Sequence, residues 1–272
     1  MSAPGTALIT GASSGIGRAT ATALAARGHR LLLGFSAGGD RIGSVARDLT
    51  LRFGVDCVPV RIDLRDPDAA LDTCLAAVEA AGDVSCLVNN AGINDRTPAA
   101  ELPLDRMREV FAVNAFAPIA LASAVGARMI GAGVRGSIVN VTSIHESVPI
   151  TGGALYCAGK AALGMATKVL ALEFAAHGIR VNAVAPGETA TAMNGVTDET
   201  RYHAIARPAI PLGRPGSVGE IAGLIAFLTG PEASYITGVT VTADGGLGLT
   251  AAEANARWAG YGSEPSTERR IG

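Results

Sequence analysis

The sequence predicts an α/β fold, a single doubly wound parallel sheet of about seven strands with helices on both faces. Two observations predict it. Apolar runs of four to seven residues alternate with amphipathic helical stretches along the chain, the pattern of buried parallel strands joined by crossover helices. The first of these runs ends in a glycine-rich turn, "TGASSGIG" at 10–17, set between a strand and a helix. No linker or internal repeat interrupts the alternation, so the reading is one domain.

The elements follow in order. Ala7 to Thr10 is the first strand. A helix at 18–28 closes at Gly28, and strands follow at 30–35 ("RLLLGF") and 57–63 ("CVPVRID"). A helix at 67–82 leads to the strand "VSCLVNNAG" at 84–92, then to a long helical pattern from Leu104 to Ile130. The strand "GSIVNVTS" at 136–143 precedes a helix at 154–178, with Gly178 as its C-terminal cap. The strand "IRVNAVAPG" at 179–187, a helix at 217–230 and the strand "GVTVTADGG" at 238–246 complete the set. Residues 1–250 therefore form the domain. Within it, about 188–215 is a polar, proline-bearing excursion of lid length. Residues 251–272 are a tail that turns polar after Trp258. Trp258 and Tyr261 either pack on a neighbouring subunit or cover an apolar edge.

Composition narrows the function. The chain has 272 residues, 49% hydrophobic and 17% charged, which suits a globular protein with a real core. A net charge of −2 without a basic block argues against a nucleic-acid or polybasic membrane surface. No uncharged apolar run approaches the roughly 20 residues that span a bilayer, and no positive charge precedes Arg18, unlike a secretory signal. Cys57, Cys74, Cys86 and Cys157 show no metal-type spacing, so no metal is expected and the thiols read as reduced. The expectation is a soluble cytoplasmic protein acting on a small molecule.

The glycine-rich turn suits a phosphate. Gly11 makes the tight turn, Gly15 lets the backbone approach a pyrophosphate, and Gly17 permits close helix packing. The helix beginning there offers free N–H groups and a positive dipole end. Its spacing differs from the common G-x-G-x-x-G fingerprint. Asp63, at a strand end, either accepts from an adenine amino group or caps the helix ahead of Pro67. At the end of the second strand Phe35 stands where an acid would hold a ribose 2′-hydroxyl. Ser36 and Arg41 can receive a 2′-phosphate instead, which favours NADP over NAD.

The chemical end centres on "YCAGK". Only Lys160 and Lys168 are lysines among 22 basic residues, and Lys160 lies one helical turn after Tyr156. A phenol titrates near 10, so working near neutrality asks for about 4 kcal/mol of phenolate stabilisation. A lysine ammonium within about 5 Å can supply much of it. Ser143, at a strand end, can hold a carbonyl or carbinol oxygen beside the phenol. Asn114, a polar residue in an apolar helix, can orient water toward Lys160. A lone Tyr-x-x-x-Lys is common by chance, and a lone serine there is usually a turn residue. The ordered set after a phosphate turn is not.

These residues resemble the short-chain dehydrogenase/reductase family from about Ala7 to Gly246, through "TGASSGIG", "NNAG", "VNAFAP", Ser143 with "YCAGK", "RVNAVAPG" and "EASYITGVTVTADGG". The resemblance implies a Rossmann-type fold, hydride transfer between a nicotinamide and a carbinol or carbonyl, and a homotetramer. It maps the catalytic set onto Asn114, Ser143, Tyr156 and Lys160. It implies cofactor contacts at Gly11, Ser13, Ser14, Gly15, Ile16 and Gly17, then at Ser36, Asp63 and Leu64. Further contacts fall at Asn90, Ala91 and Gly92, at Tyr156 and Lys160 themselves, and at Pro186, Gly187, Thr189 and Thr191.

A narrower resemblance is to the glucose 1-dehydrogenases of this family, through "SIHESVP" at 143–149, "PGETATAMN" and "TADGGLGL". It implies a sugar substrate, with His145 and Glu146 aimed at hydroxyls or at the rim. The plain alternative for His145 is a histidine on a loop surface. Asn94, where those enzymes carry glutamate, is a departure at the substrate end. Glu188 and Asn194 fall where a lid meets substrate. The chain also resembles 3-oxoacyl-carrier-protein reductases, whose acidic partner would need a basic patch; Arg96, Arg128 and Arg135 are its candidates. A dinucleotide-binding regulator without catalysis is the reading of another class.

Overall fold

The computed structural model describes residues 5–82, 84–195 and 198–250. The tail with Trp258 and Tyr261 lies outside the described residues. Seven parallel strands form one sheet in the order β3-β2-β1-β4-β5-β6-β7. They are β1 Thr6–Ile9, β2 Arg30–Phe35, β3 Cys57–Arg61, β4 Val84–Asn89, β5 Ser137–Val141, β6 Arg180–Pro186 and β7 Thr240–Ala243. The helices are α1 Gly15–Ala25, α2 Gly39–Phe53, α3 Pro67–Ala81, α4 Leu104–Phe111, α5 Ala117–Gly131, α6 Ala154–Phe174, α7 Glu199–His203 and α8 Val218–Thr229.

The strands read as continuous apolar runs because both faces are covered. Alternate residues point to opposite faces of a strand. In β1, Ala7 and Ile9 join one core cluster with Leu31, Leu33 and Ile225. Leu8 joins the other, with Leu32, Leu87, Leu121 and Ile138. The strand order reverses between β1 and β4, the switch point where doubly wound sheets open a crevice beyond the strand C-termini.

Two elements differ from the sequence expectation. Residues 39–53, left unassigned by pattern, form α2, which buries only Ile42, Val45, Ala46 and Leu49. The long helix from Leu104 is continuous to Gly131 but widens into a π turn at Ala112–Phe116, where the Ala117 N–H donates to the Ala112 carbonyl. Pro118 accounts for the widening. It has no N–H for the carbonyl four residues earlier, and its ring clashes there.

Two helical stretches, Leu104–Gly131 and Ala154–His177, are long and apolar enough to cross a membrane, yet 61% and 50% of these spans are buried inside the domain. Their apolar residues, Leu121, Val125, Leu170 and Phe174, belong to the core on one face of the sheet.

Gly126 sets how closely α5 and α6 approach. A Cβ there would overlap the buried Phe174 ring, coming within 2.7 Å of Cζ. Gly126→Ala should therefore destabilise the fold by about 1–3 kcal/mol despite the better helix propensity of alanine. Urea unfolding measures this, and an unchanged or raised midpoint would mean that the ring yields freely.

Candidate active site

A cleft of about 670 Å³ opens at the C-terminal ends of β1, β2, β4, β5 and β6. It takes in the site residues expected from sequence except Asn114, Gly17, Asp63, Leu64, Arg41 and Glu146. Each exception has a physical reason. Gly17 packs inward, where a Cβ would collide with the Gly11 carbonyl and the Asn90 amide. Leu64 is buried in the core. Asp63 accepts from the Arg65 backbone N–H at 3.1 Å and from its guanidinium at 3.4 Å. Nor does Asp63 cap the following helix, because Asp66 does, accepting from the Ala69 N–H at 3.1 Å.

At the β1 end, Gly11 and Gly15 hold positive φ angles of 67° and 53°. The first turn of α1 carries no acidic residue, and Ser14 makes no side-chain cap. By contrast, α3 is capped by Asp66 and α8 by a Ser217–Glu220 capping box. The α1 N–H groups thus face the cleft without a protein acceptor from a cap. Thr191 reaches over them, its Cγ2 lying 3.5 Å from where a Gly15 Cβ would stand. Ser36 lines the cleft at the β2 end, whereas Arg41, in the first turn of α2, does not.

At the β5 end, Ser143 caps a short 3₁₀ turn, its hydroxyl accepting from the His145 N–H at 3.2 Å. His145 Nδ1 donates to the Val148 carbonyl at 2.8 Å, which leaves Nε2 for the cleft. The imidazole stands edge-on to Tyr156 at 6.2 Å between ring centroids. Lys160 is 4% exposed, donates to the Val141 carbonyl at 2.8 Å, and places Nζ 6.0 Å from the Tyr156 ring centroid. Asn114 sits on the π turn behind them. Its Oδ1 accepts from the Ile93 N–H at 2.9 Å and its Nδ2 donates to the Ile93 carbonyl at 2.8 Å. Gly92 lets these groups converge, since a Cβ there would stand 3.1 Å from Asn114 Oδ1 and 3.3 Å from Lys160 Nζ.

Burial governs the ionisation of this pair. It raises the Tyr156 phenol above its usual value, against the opposing Ser143 hydroxyl and the charge of Arg96. It lowers Lys160 to about 8, with the Glu146 carboxylate opposing. The expected lowering of the phenol is therefore not a property of the chain alone.

Three substrate-end expectations change. Glu146 turns away from the cleft, its carboxylate 2.9 Å from where a Gly164 Cβ would stand, with Oε2 buried and without a hydrogen-bond partner. Glu188 lines the cleft but is engaged, accepting from the Tyr202 hydroxyl and from Arg207 Nε, both at 2.6 Å. Asn194 donates to the Thr189 carbonyl at 2.9 Å. The proposed basic patch is not assembled. Arg128 on α5 pairs with Glu79 on α3 at 3.3 Å, and Arg135 lies over Gly178 just before β5. Arg96 alone of the three lines the cleft.

Sequence reasoning missed a buried polar ladder beneath the site. Asn89 Nδ2 donates to Asn140 Oδ1 at 2.9 Å, and Asn140 Nδ2 donates to Thr167 Oγ1 at 2.8 Å, tying β4, β5 and α6 together. Polar residues inside "CLVNN" and "SIVNV" were its signal.

The chain is similar to known oxidoreductases in sequence and in fold. A family model described as enoyl-(acyl carrier protein) reductase matches residues 11–248. Glucose 1-dehydrogenase of Gluconobacter oxydans is 35% identical over 244 residues, 89% of this chain and 91% of that enzyme. A 3-oxoacyl-[acyl-carrier-protein] reductase of Synechocystis is 36% identical over 242 residues, 89% of this chain and 96% of that enzyme. The crystal structure of acetoin dehydrogenase from Enterobacter cloacae matches with a TM-score of 0.85 at 36% identity, covering 92% of this chain and 97% of that one.

The lysine makes stability depend on pH. An unfolded lysine keeps its proton to about 10.5, whereas the folded Lys160 releases it near 8. Between these values the unfolded chain binds more protons, so this residue makes the fold more stable as pH rises. The difference corresponds to roughly 3 kcal/mol. Lys160→Met should lose that rise and be the more stable protein at pH 7. Urea unfolding at pH 7 and 9.5 checks both; parallel behaviour of the two proteins would contradict it.

Proposed function

The chain belongs to the short-chain dehydrogenase/reductase family, and from that premise we propose that it moves a hydride between NADP and a carbinol or carbonyl of a sugar-like substrate. As a family member it is an oxidoreductase of hydroxyl and carbonyl groups that uses a nicotinamide dinucleotide. The observation that carries the finer reading is the convergence of Ser143, Tyr156 and Lys160 on the cleft that also receives the open α1 N-terminus.

The residues present fit such a dinucleotide. The uncapped α1 suits a pyrophosphate. Phe35 puts no carboxylate beside Ser36 at the β2 end, so a ribose 2′-phosphate meets no repulsion, and the exposed Arg41 stands in the next turn to attract it. Once bound, the nicotinamide accepts or returns the hydride.

The chain's own groups handle the proton. Ser143 holds the substrate oxygen, its own oxygen oriented by the His145 N–H. Tyr156 takes the carbinol proton during oxidation or gives one during reduction. Lys160, its ammonium 6.0 Å from the Tyr156 ring centroid, favours the phenolate with a charge worth roughly 3 kcal/mol at such a distance and an effective dielectric near 20. Asn114 spends its side chain on Ile93 and so acts as a positioning residue, bracing Gly92 against the lysine. The stretch about 188–215 serves as a lid, with Thr191, Met193, Asn194 and Tyr202 on its inner side.

The sugar reading draws on the relative named glucose 1-dehydrogenase and on His145, which lines the cleft with only its Nδ1 engaged. The second reading, a ketoreductase of acyl thioesters, draws on the relative that acts on 3-oxoacyl carrier protein. The unassembled basic patch favours the sugar. A cytoplasmic homotetramer suits the four free cysteines and an exposed apolar stripe on α6, Met165, Val169 and Leu172.

Reduced-nicotinamide absorbance tests the proposal with NAD and NADP over aldoses and acetoacetyl thioester. Aldose turnover with higher kcat/KM for NADP is expected. Tyr156→Phe should lower kcat by at least about 100-fold while dinucleotide affinity stays within about threefold. Retained activity would remove Tyr156 from the chemistry. Thioester reduction with silence on sugars would transfer the assignment to the second reading.

A further inference from the structure

Beyond the hydride-transfer groups, ionisable side chains rim the mouth of the same cleft. Its charges are lopsided. Among the described residues lining it, Glu188 is the sole carboxylate, and Arg207 and Tyr202 already engage it. Lys160 is turned inward on Val141. Arg96 remains, an exposed cation whose side chain has no hydrogen bond or ion pair among the described residues.

The segment bearing Arg96 is rigid. Asp95, 4% exposed, accepts from Arg106 Nε at 2.7 Å and from the Thr97 N–H at 3.1 Å. Arg106 also donates to the Asn94 carbonyl at 2.8 Å. Opposite, Gly152 has a φ of 73°, and a Cβ there would stand 2.8 Å from the Arg96 carbonyl. The loop before α6 therefore closes on the Arg96 backbone only because residue 152 is glycine. Asn94 is fixed by the same bonds, and its Oδ1 is buried in the cleft lining without a hydrogen-bond partner. The charge of Arg96 reaches the reacting centre, since it acts on the Tyr156 phenol.

We infer that Arg96 makes this site select substrates carrying an anionic group, a carboxylate or phosphate attached to the polyhydroxylated carbinol or carbonyl that is oxidised or reduced. The inference rests on the hydride-transfer reading above and narrows its substrate class from neutral aldoses to sugar acids or sugar phosphates. A guanidinium offers a planar fork that matches either group. An unpaired cation at a concave mouth also concentrates anions there. Asn94 Oδ1 is placed to accept from a substrate hydroxyl beside it.

The test compares matched substrates at fixed ionic strength: glucose, glucuronate, methyl glucuronate and glucose 6-phosphate. Glucuronate or glucose 6-phosphate should exceed the neutral sugars in kcat/KM by at least about tenfold, and the better of the two identifies the anionic group. R96Q should collapse the ratio of anionic to neutral substrate, mainly through KM, and Arg96→Lys should restore part of it. A purely structural role would lower both substrates together and leave the ratio intact. Equal use of glucuronate and its methyl ester, or an unchanged ratio in R96Q, overturns the inference while the hydride-transfer reading stands. If none of these substrates turns over in any protein, the sugar reading fails. Calorimetric binding of glucuronate and glucose to wild type and R96Q then decides the anion claim alone, and equal affinities in wild type overturn it.

Discussion

Lys160 carries its ammonium into the interior of the domain, 4% exposed, with the Val141 carbonyl at 2.8 Å as its acceptor. A buried cation is costly unless it is hydrogen-bonded and opposed by negative charge. The site is arranged around that cost. Val141 ends β5, so its carbonyl points past the last strand bond toward α6. Glu146 packs against Gly164, one turn after Lys160 on the same face of α6, and its charge holds the lysine proton against burial. A tyrosine one turn earlier on the same helix is then the group that gains most from the charge.

The rest of the fold keeps that lysine in place. The π turn carries Asn114 to Ile93, and Gly92 admits both Asn114 and Lys160 at close range. The Asn89–Asn140–Thr167 ladder locks β4 and β5 to α6 from below. A buried network of this kind fixes one relative position of strand and helix, because a slipped register would leave its amides unpaired. Hydride chemistry asks for that precision at one end of the cleft. The phosphate end asks for less: a helix start left without caps and glycines that let backbone approach.

Much of this was legible in the sequence. The strands declared themselves as apolar runs, and the turn at 10–17 lies between the strand and helix that its spacing required. Ser143, Tyr156 and Lys160 reach one cleft because two of them share a helix face and the third ends the strand packed against it. What was not legible depended on partners distant in the chain. Glu188 reads as a substrate group until Tyr202 and Arg207 take it, and Glu146 reads as a rim residue until Gly164 makes room for it. The cap alternative for Asp63 gave way for a local reason, since Asp66 three residues on takes that place. The π turn escaped notice because the apolar periodicity runs straight through Asn114, and α2 because its first turn is glycine and aspartate rather than apolar.

The central claim is that the buried lysine sets the proton affinity of the tyrosine, so that the two titrate as a pair. Its most direct measurement is the pH dependence of kcat/KM for carbinol oxidation at saturating cofactor, in wild type and Lys160→Met. The account predicts an acidic limb below the free phenol value near 10 in wild type, because the protonated Lys160 favours the phenolate. In the variant the limb should move at least about 2 units to alkaline pH, the equivalent of the roughly 3 kcal/mol interaction. A limb that stays where it was, with rates within a few-fold of wild type, would show that the tyrosine owes its reactivity to something other than Lys160.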